Sequence, residues 1–296
     1  YQFQLAHLPN LSTPPLQPLS PYMQLMQLGA RIKGRRTMSF QRFIVCGDSY
    51  SEGMSDEVIL GKYRGWADRV ADVMAQANAD FTYVNLAVRG KLIGQVVEDQ
   101  LPTALAFVTG PDTLLSFHAG ANDALRPGYR AEIAIPLYQD AVRLAAKSGA
   151  QVMLFTVLEN TGNTGKSAQL WQKRFAEFNQ GVRAVGAEVG AIVVDANEET
   201  FLSDRRFLAF DRLHLNAEGH RRCANAVLER IGLPFDPSWR TPLPPARKAP
   251  WVIKALVTVA WVFVFVIPWI FRRLRGKSSG DGRRAKYPTP VKWPTR

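Results

Sequence analysis

Between residues 42 and 232, short apolar runs alternate five times with longer stretches of helical periodicity, and this alternation constrains the fold more than any other feature of the chain. The apolar runs are Phe43–Cys46, Phe81–Ala87, Thr113–His118, Gln151–Val157 and Ala191–Ala196. Each is a nearly continuous apolar stretch, as expected of strands covered on both faces. Helices are predicted over Arg64–Ala77, Leu92–Leu105, Ile133–Lys147, Leu170–Val189 and Asn216–Ile231. In the first of them Trp66, Ala67, Val70, Val73, Met74 and Ala77 keep the helical period. Pro102 permits a kink or a fresh start in the second, and Asn216 is a good N-cap for the last. The expected architecture is a three-layer α/β/α sandwich around a five-stranded parallel sheet.

In such a sheet, ligands bind beyond the carboxyl ends of the strands, so the polar residues that follow each run are the ones to read. Gly47-Asp48-Ser49 follows the first run, Arg89-Gly90 the second, Gly120-Ala121-Asn122-Asp123 the third, and Asp211-Arg212-Leu213-His214 precedes the last helix. Parallel strands bring these loops to one edge. The residue types suit acyl transfer. Ser49 needs a base to become a nucleophile, and His214 can supply one. Asp211, three residues earlier, can turn back to orient the imidazole and stabilise its charged form. The Ser49 backbone N–H, the Gly90 backbone N–H and the Asn122 side-chain amide are candidate donors to an oxyanion. Asp48 and Asp123 read as loop-holding residues, His118 as core or pocket wall, and Cys46 as a small core hydrophobe.

Taken together, Gly47-Asp48-Ser49, Gly90, Gly120-x-Asn122-Asp123 and Asp211-x-x-His214 resemble the four signature blocks of the SGNH, or GDSL-type, hydrolase family, in the family's order. The wording around them is similar to that of small actinobacterial esterases of this family. The resemblance covers roughly residues 42–232. It implies a flavodoxin-like fold and ester hydrolysis without a cofactor or metal. It also implies Ser49 as nucleophile, His214 as base, Asp211 as orienting acid, and an oxyanion hole of Ser49, Gly90 and Asn122. Tyr50 departs from the leucine of the family's name, at a position bearing on substrate preference. The expected substrate is a small acyl ester or a lipid such as a lysophospholipid. A carbohydrate deacetylase or acyltransferase could use the same residues, and an idle membrane-tethered binding protein is the rival from another class.

Charge has to be divided along the chain before it means anything. The whole carries 37 Lys and Arg against 25 Asp and Glu, but 13 of the basic residues lie in 240–296 with Asp281 as the one acid there. The body from 39 to 239 is mildly acidic, so a nucleic-acid partner is not expected. The basic ends read as solvated tails or as contacts to a membrane surface. Two cysteines, Cys46 and Cys223, exclude a disulfide framework.

The organisation that follows has five parts. Residues 1–38 read as a disordered N-terminal extension, 39–239 as the catalytic domain, 240–250 as a Pro-rich linker, 251–272 as a hydrophobic helix and 273–296 as a basic tail. Ala255 to Phe271 holds 17 residues without a charge, at the lower end of the ~17–25 needed to cross a bilayer. It reads as a spanning or embedded helix, with a helix packed on the domain or in a dimer as the alternative, and Pro268 permits a bent, re-entrant path. No secretory leader is legible, so the expected location is cytoplasmic, with contact to the inner face of the membrane through 251–272.

Overall fold

The computed structural model describes residues 39–160, 162, 164–246 and 250–294. The extension expected over 1–38 lies outside the described residues. Strand β1 (Arg42–Gly47) is buried along Phe43–Gly47 and lies at the centre of the sheet. It pairs in parallel with β2 (Thr82–Asn85) on one side and β3 (Thr113–His118) on the other. Beyond β3 come β4 (Gln151–Phe155) and β5 (Ile192–Val194), also parallel. These five strands have the order β5-β4-β3-β1-β2, the flavodoxin-like arrangement.

Side chains alternate across each strand, so the sheet feeds two cores. Ile44, Cys46, Leu115 and Phe117 face one side and pack with Ile93, Leu101, Tyr138, Phe178 and Val182. Those partners come from α3 (Ile93–Asp99), α4 (Leu101–Ala106), α6 (Ala131–Lys147) and α7 (Lys166–Val189), with the short α5 (Ala121–Ala124) between α4 and α6. Phe43, Val45, Leu114 and Met153 face the other side, against Trp66 and Val70 of α2 (Gly65–Ala77) and Val227 and Leu228 of α8 (Ala217–Arg230). The remaining short helix, α1 (Ser49–Glu52), sits directly after β1. The helix predicted over 92–105 is two helices. The break falls at Gln100, two residues before Pro102, which occupies the first turn of α4, where a missing N–H is tolerated.

A sixth strand that the sequence reading did not include, β6 (Tyr287–Lys292), pairs antiparallel with β2 and closes the edge of the sheet. Pro288 and Pro290 disguise it, because proline removes ladder donors, but an edge strand tolerates that loss. The basic tail expected over 273–296 is thus in part a structural element of the domain placed at 39–239. Its charge run hides one buried cation. Lys286 Nζ lies 2.7 Å from Asp68 Oδ1 and donates to the carbonyls of Tyr63 and Arg64 at 2.9 and 3.0 Å. Tyr83 donates to the same carboxylate at 2.7 Å. Burial pushes the Asp68 carboxyl up to about 6 and the Lys286 amine down, so the pair costs more in desolvation than an exposed one. Trp293 packs on Tyr83 and Tyr287, and its indole N–H donates to Asp72 at 2.9 Å.

The linker expected over 240–250 is docked over its first half. Arg222 donates to the carbonyls of Trp239 and Thr241, and Arg206 to that of Pro244; residues 247–249 lie outside the described residues. A long apolar helix follows, built from α9 (Trp251–Trp261), a π-helical turn (Val262–Val266) and α10 (Ile267–Leu274). The Ile267 N–H donates to Val262 five residues back. That wide turn falls immediately before Pro268, whose ring would otherwise crowd the carbonyl of the preceding turn. Residues Trp251–Arg272 are long and apolar enough to cross a membrane, and none of them is buried within the protein.

Two measurements test this account. Lys286→Ala strands Asp68 in the core, so urea unfolding should show a loss of about 3–5 kcal/mol, much of it restored by the double change Asp68→Asn, Lys286→Met. At the opposite edge, Asp195 follows β5. Burial works against its charge, but the Arg183 guanidinium, the Asn197 N–H and the Thr156 hydroxyl outweigh it and bring the carboxyl from 3.8 to about 2. A depressed carboxylate stabilises the fold above its unfolded value and loses that effect as pH falls through its folded one. With Arg183 partly in water, Asp195→Asn should cost about 1–2 kcal/mol at neutral pH. The gap to wild type should close as pH falls from 3.8 through about 2.

Candidate active site

The parallel register fixes where the four polar loops begin. Gly47 lies opposite His118 across β1 and β3, and Val45 opposite Asn85 across β1 and β2, so the chain leaves all three strands at one edge. Gly47 is required there: a Cβ on it would stand 2.5 Å from the His118 carbonyl oxygen. The Gln100 amide grips the same residue from the other side. Its Oε1 accepts from Gly47 N at 2.8 Å and its Nε2 donates to Gly47 O at 2.9 Å. This fixes the backbone one step before Asp48 and Ser49. Nothing in the local sequence marks Gln100 except a polar residue at a core-facing position.

Ser49 opens α1, with Asp48 as its N-cap accepting from Tyr50 N at 3.1 Å. Ser49 is 8% exposed. Its Oγ lies 2.9 Å from His214 Nε2, across 165 positions of sequence. His214 Nδ1 lies 2.6 Å from Asp211 Oδ2. Asp211 Oδ1 accepts from the backbone N–H groups of Leu213 and His214, each at 3.0 Å. The turn that allows this is a tight hairpin, closed by Ala209 N donating to His214 O at 2.8 Å and by a Leu208–Leu215 bridge. Arg212 at its tip takes φ +61°, a left-handed conformation unusual for a residue with a side chain. Burial raises the Asp211 carboxyl, but the His214 ring and the two N–H donors outweigh it and hold it below the ordinary carboxylate range.

Asn122 ties three loops together. Its Nδ2 donates to Asp48 Oδ2 at 2.9 Å and to the Lys91 carbonyl at 3.1 Å. The amide thus engages both of its hydrogens. Gly90 takes φ +74° in the loop after β2. Its neighbour Arg89 is clamped by Glu52 of α1, whose Oε2 accepts from Arg89 N at 2.7 Å and from Arg89 Nε at 3.0 Å. This pair lies outside the site residues expected from the sequence; its signal is an acid three residues after Ser49 and a base beside Gly90.

A tail segment also reaches this loop. Ser278 Oγ donates to the Gly90 carbonyl at 3.3 Å, and Ser278 and Ser279 fill the space a Gly90 side chain would need. Asp123 holds the third loop by accepting from Ile93 N at 3.1 Å, and burial lifts its carboxyl to about 6. Behind Ser49, the His118 ring lies tilted against the Tyr50 ring at 4.7 Å and is pushed down by burial, while Tyr50 OH meets Cys223 Sγ at 2.8 Å. Burial likewise pushes the Asp48 carboxyl up, against the pull of His118, the Tyr50 N–H, His214 and Asn122. Among the described residues, no cluster of His, Cys, Asp and Glu is arranged to hold a metal ion.

The chain is similar to known proteins in family and in fold. The model of the GDSL-like lipase/acylhydrolase family matches residues 45–222. The chain belongs to that family, and so to the carboxylic-ester hydrolases. Similar solved structures include an alpha/beta hydrolase enzyme from the metagenome of Lake Arreo, Spain, with a TM-score of 0.54 and 17% identity over 66% of this chain and 98% of that one. An acetylxylan esterase from Geobacillus stearothermophilus is similar at TM-score 0.53 and 16% identity over 69% of this chain and 98% of that one. A lipolytic G-D-S-L family member from Veillonella parvula is similar at TM-score 0.52 and 21% identity over 64% of this chain and 96% of that one. No curated relative matches the chain by sequence.

Gly90 offers a test of the loop. Gly90→Ala forces a side chain into a left-handed position and against Ser278, a backbone cost of about 1–2 kcal/mol before any clash. Ester turnover should fall, and trypsin should cleave after Lys277 faster than in wild type as residues 278–280 are displaced.

Proposed function

We propose that the protein is a serine ester hydrolase that works through an acyl-enzyme on Ser49. The observation that carries this reading is the continuous Ser49–His214–Asp211 relay, at 2.9 and 2.6 Å, on a shared and largely buried strand edge. His214 Nε2 takes the Ser49 proton as Oγ attacks the ester carbonyl, and Asp211 stabilises the imidazolium. Negative charge develops on the former carbonyl oxygen. The N–H groups of Ser49 and Gly90 and the Asn122 amide are the donors assigned to it, with Asn122 exchanging one of its present acceptors. The tetrahedral intermediate collapses, His214 returns its proton to the alkoxide, and the alcohol departs. Water, deprotonated by His214, then attacks the acyl-enzyme. The second collapse expels Ser49 Oγ, which regains its proton from His214, and releases the carboxylic acid.

In this scheme Glu52, Arg89 and Gln100 are positioning residues that hold the loops bearing the reacting groups. Each donor removed from an oxyanion site typically costs ~3–4 kcal/mol of barrier, so Asn122→Ala is expected to lower kcat more than it changes KM.

The decisive test is covalent labelling. A fluorophosphonate should add one phosphonyl group to Ser49, identified by peptide mass spectrometry, and the adduct should be absent from Ser49→Ala. On a series of p-nitrophenyl esters, Ser49→Ala should lose nearly all turnover while retaining its unfolding profile. Asp211→Asn should lose on the order of 10⁴-fold in kcat through the wrong imidazole tautomer. Unimpaired turnover in Ser49→Ala would refute the scheme.

A further inference from the structure

The long apolar helix does not leave the body freely. At its middle, the Trp261 indole N–H donates to the backbone carbonyl of Asp211 at 3.0 Å. Arg212 lies over the Trp261 ring at 4.6 Å and donates to Thr258 at 3.1 Å, and Phe265 meets Phe210 edge-on at 5.7 Å. The helix therefore rests on the turn that carries Asp211 and His214. Both of its ends are tied to the same body. Before it, Arg206 holds the Pro244 carbonyl; after it, Ser278 bonds to Gly90, and β6 joins the sheet.

These ties exclude a crossing. The helix Trp251–Leu274 is ~36 Å long at 1.5 Å per residue. A bilayer core is ~30 Å thick. The chain from Pro244 to Trp251 reaches at most ~25 Å, and that from Leu274 to Ser278 at most ~14 Å. One end cannot lie on the far side while both anchors hold. A crossing would also carry the Asp211 turn, bonded to the middle of the helix, towards the centre of the hydrocarbon with its arginine.

Yet the outward face is apolar and uncovered. Ile253, Leu256, Val257, Phe263 and Val264 are all exposed. The patch continues onto the catalytic turn through Phe210 and Leu213, which are 51% and 54% exposed. Arg272, Arg275 and Lys277, also exposed, follow at the helix end. An apolar face beside a cationic fringe, on a mildly acidic body, is complementary to an anionic lipid surface.

We propose that this helix lies in the plane of one leaflet of an anionic lipid surface and holds the mouth of the Ser49 site against it, so that the ester hydrolysed is an acyl lipid drawn from that surface. The substrate half of this rests on the serine-hydrolase reading above; the binding half does not.

The test uses the full chain and sealed vesicles, either of phosphatidylcholine alone or with one third phosphatidylglycerol. Wild type and Ser49→Ala should both float with the anionic vesicles and bind the neutral ones more weakly. The triple variant Ile253→Glu, Leu256→Glu, Phe263→Glu should stay unbound and lose hydrolysis of vesicle-borne acyl lipid, yet keep p-nitrophenyl acetate turnover and fluorophosphonate labelling. Those two retained signals also report that it has folded. The milder pair Arg275→Glu, Lys277→Glu should bind anionic vesicles about 30-fold or more weakly, at roughly fivefold per basic residue removed. For orientation, cysteines introduced as Ala246→Cys and Lys277→Cys should both react fully with a membrane-impermeant thiol reagent on vesicle-bound protein. Protection of either until detergent is added would mean a spanning helix and overturn the proposal. So would wild type that fails to float, a triple variant that floats normally, or a stable lipid-free dimer abolished by the triple variant, since a second copy would then cover the face. Flotation without any fluorophosphonate adduct would instead sink the serine-hydrolase reading and leave the lipid surface standing.

Discussion

The parallel register of β1 with β2 and β3 is the constraint on which the site depends. With Gly47 opposite His118 and Val45 opposite Asn85, the chain leaves three neighbouring strands almost level. Asp48, Lys91 and Asn122 can then be joined by one side-chain amide. A shift of one residue in either pairing would turn Ile44 and Cys46 towards the wrong core and separate these loops by a strand step. Burial of Phe43, Ile44, Val45 and Cys46 thus sets both the stability of the sheet and the coordinates of Ser49.

Polar groups are placed in this edge at a cost; Ser51 Oγ and His118 Nδ1 are buried without a hydrogen-bond partner, but those that hold the loops are answered. Gln100 spans the backbone of Gly47 in both directions, Glu52 neutralises Arg89 beside Gly90, and Asp211 receives two backbone donors besides the imidazole. A partly satisfied network of this kind would be worse than an apolar one, because an unpaired buried group forfeits its hydration without return. A satisfied network instead has little freedom left. Such rigidity suits chemistry in which donors must already point at charge that develops only in the transition state.

How much of this could be read from the sequence depended on whether the signal was local. The five parallel strands and their helices were legible because apolar runs and helical periods recur within a dozen residues. Ser49, Gly90, Asn122, Asp211 and His214 stood out because their types and order are distinctive, although the engagement of both Asn122 hydrogens was not legible in its identity. Gln100 was hidden because its partners lie 53 positions away, and a glutamine between apolar neighbours has no pattern of its own. Strand β6 was hidden by its two prolines. Lys286 was hidden by a charge run in which nothing distinguishes a cation that meets a buried carboxylate from one that meets water.

The C-terminal segment changes how the parts relate. The sequence alone places linker, helix and tail one after another beyond the domain. In the structure the same segment leaves the domain, crosses the turn that carries Asp211 and His214 and returns to complete the sheet, touching that turn through Trp261 and the Gly90 loop through Ser278 on the way. Both contacts fall on loops that carry residues of the proposed site. A force on the helix, whatever covers its apolar face, is therefore applied to Asp211 and Gly90 together. The indole bond to the Asp211 carbonyl opposes any motion that would swing the carboxylate away from His214. Because the helix is pinned at its centre and its chain is held at both ends, displacement of its outer face is resisted by a buried ion pair and a sheet edge rather than by a flexible tail.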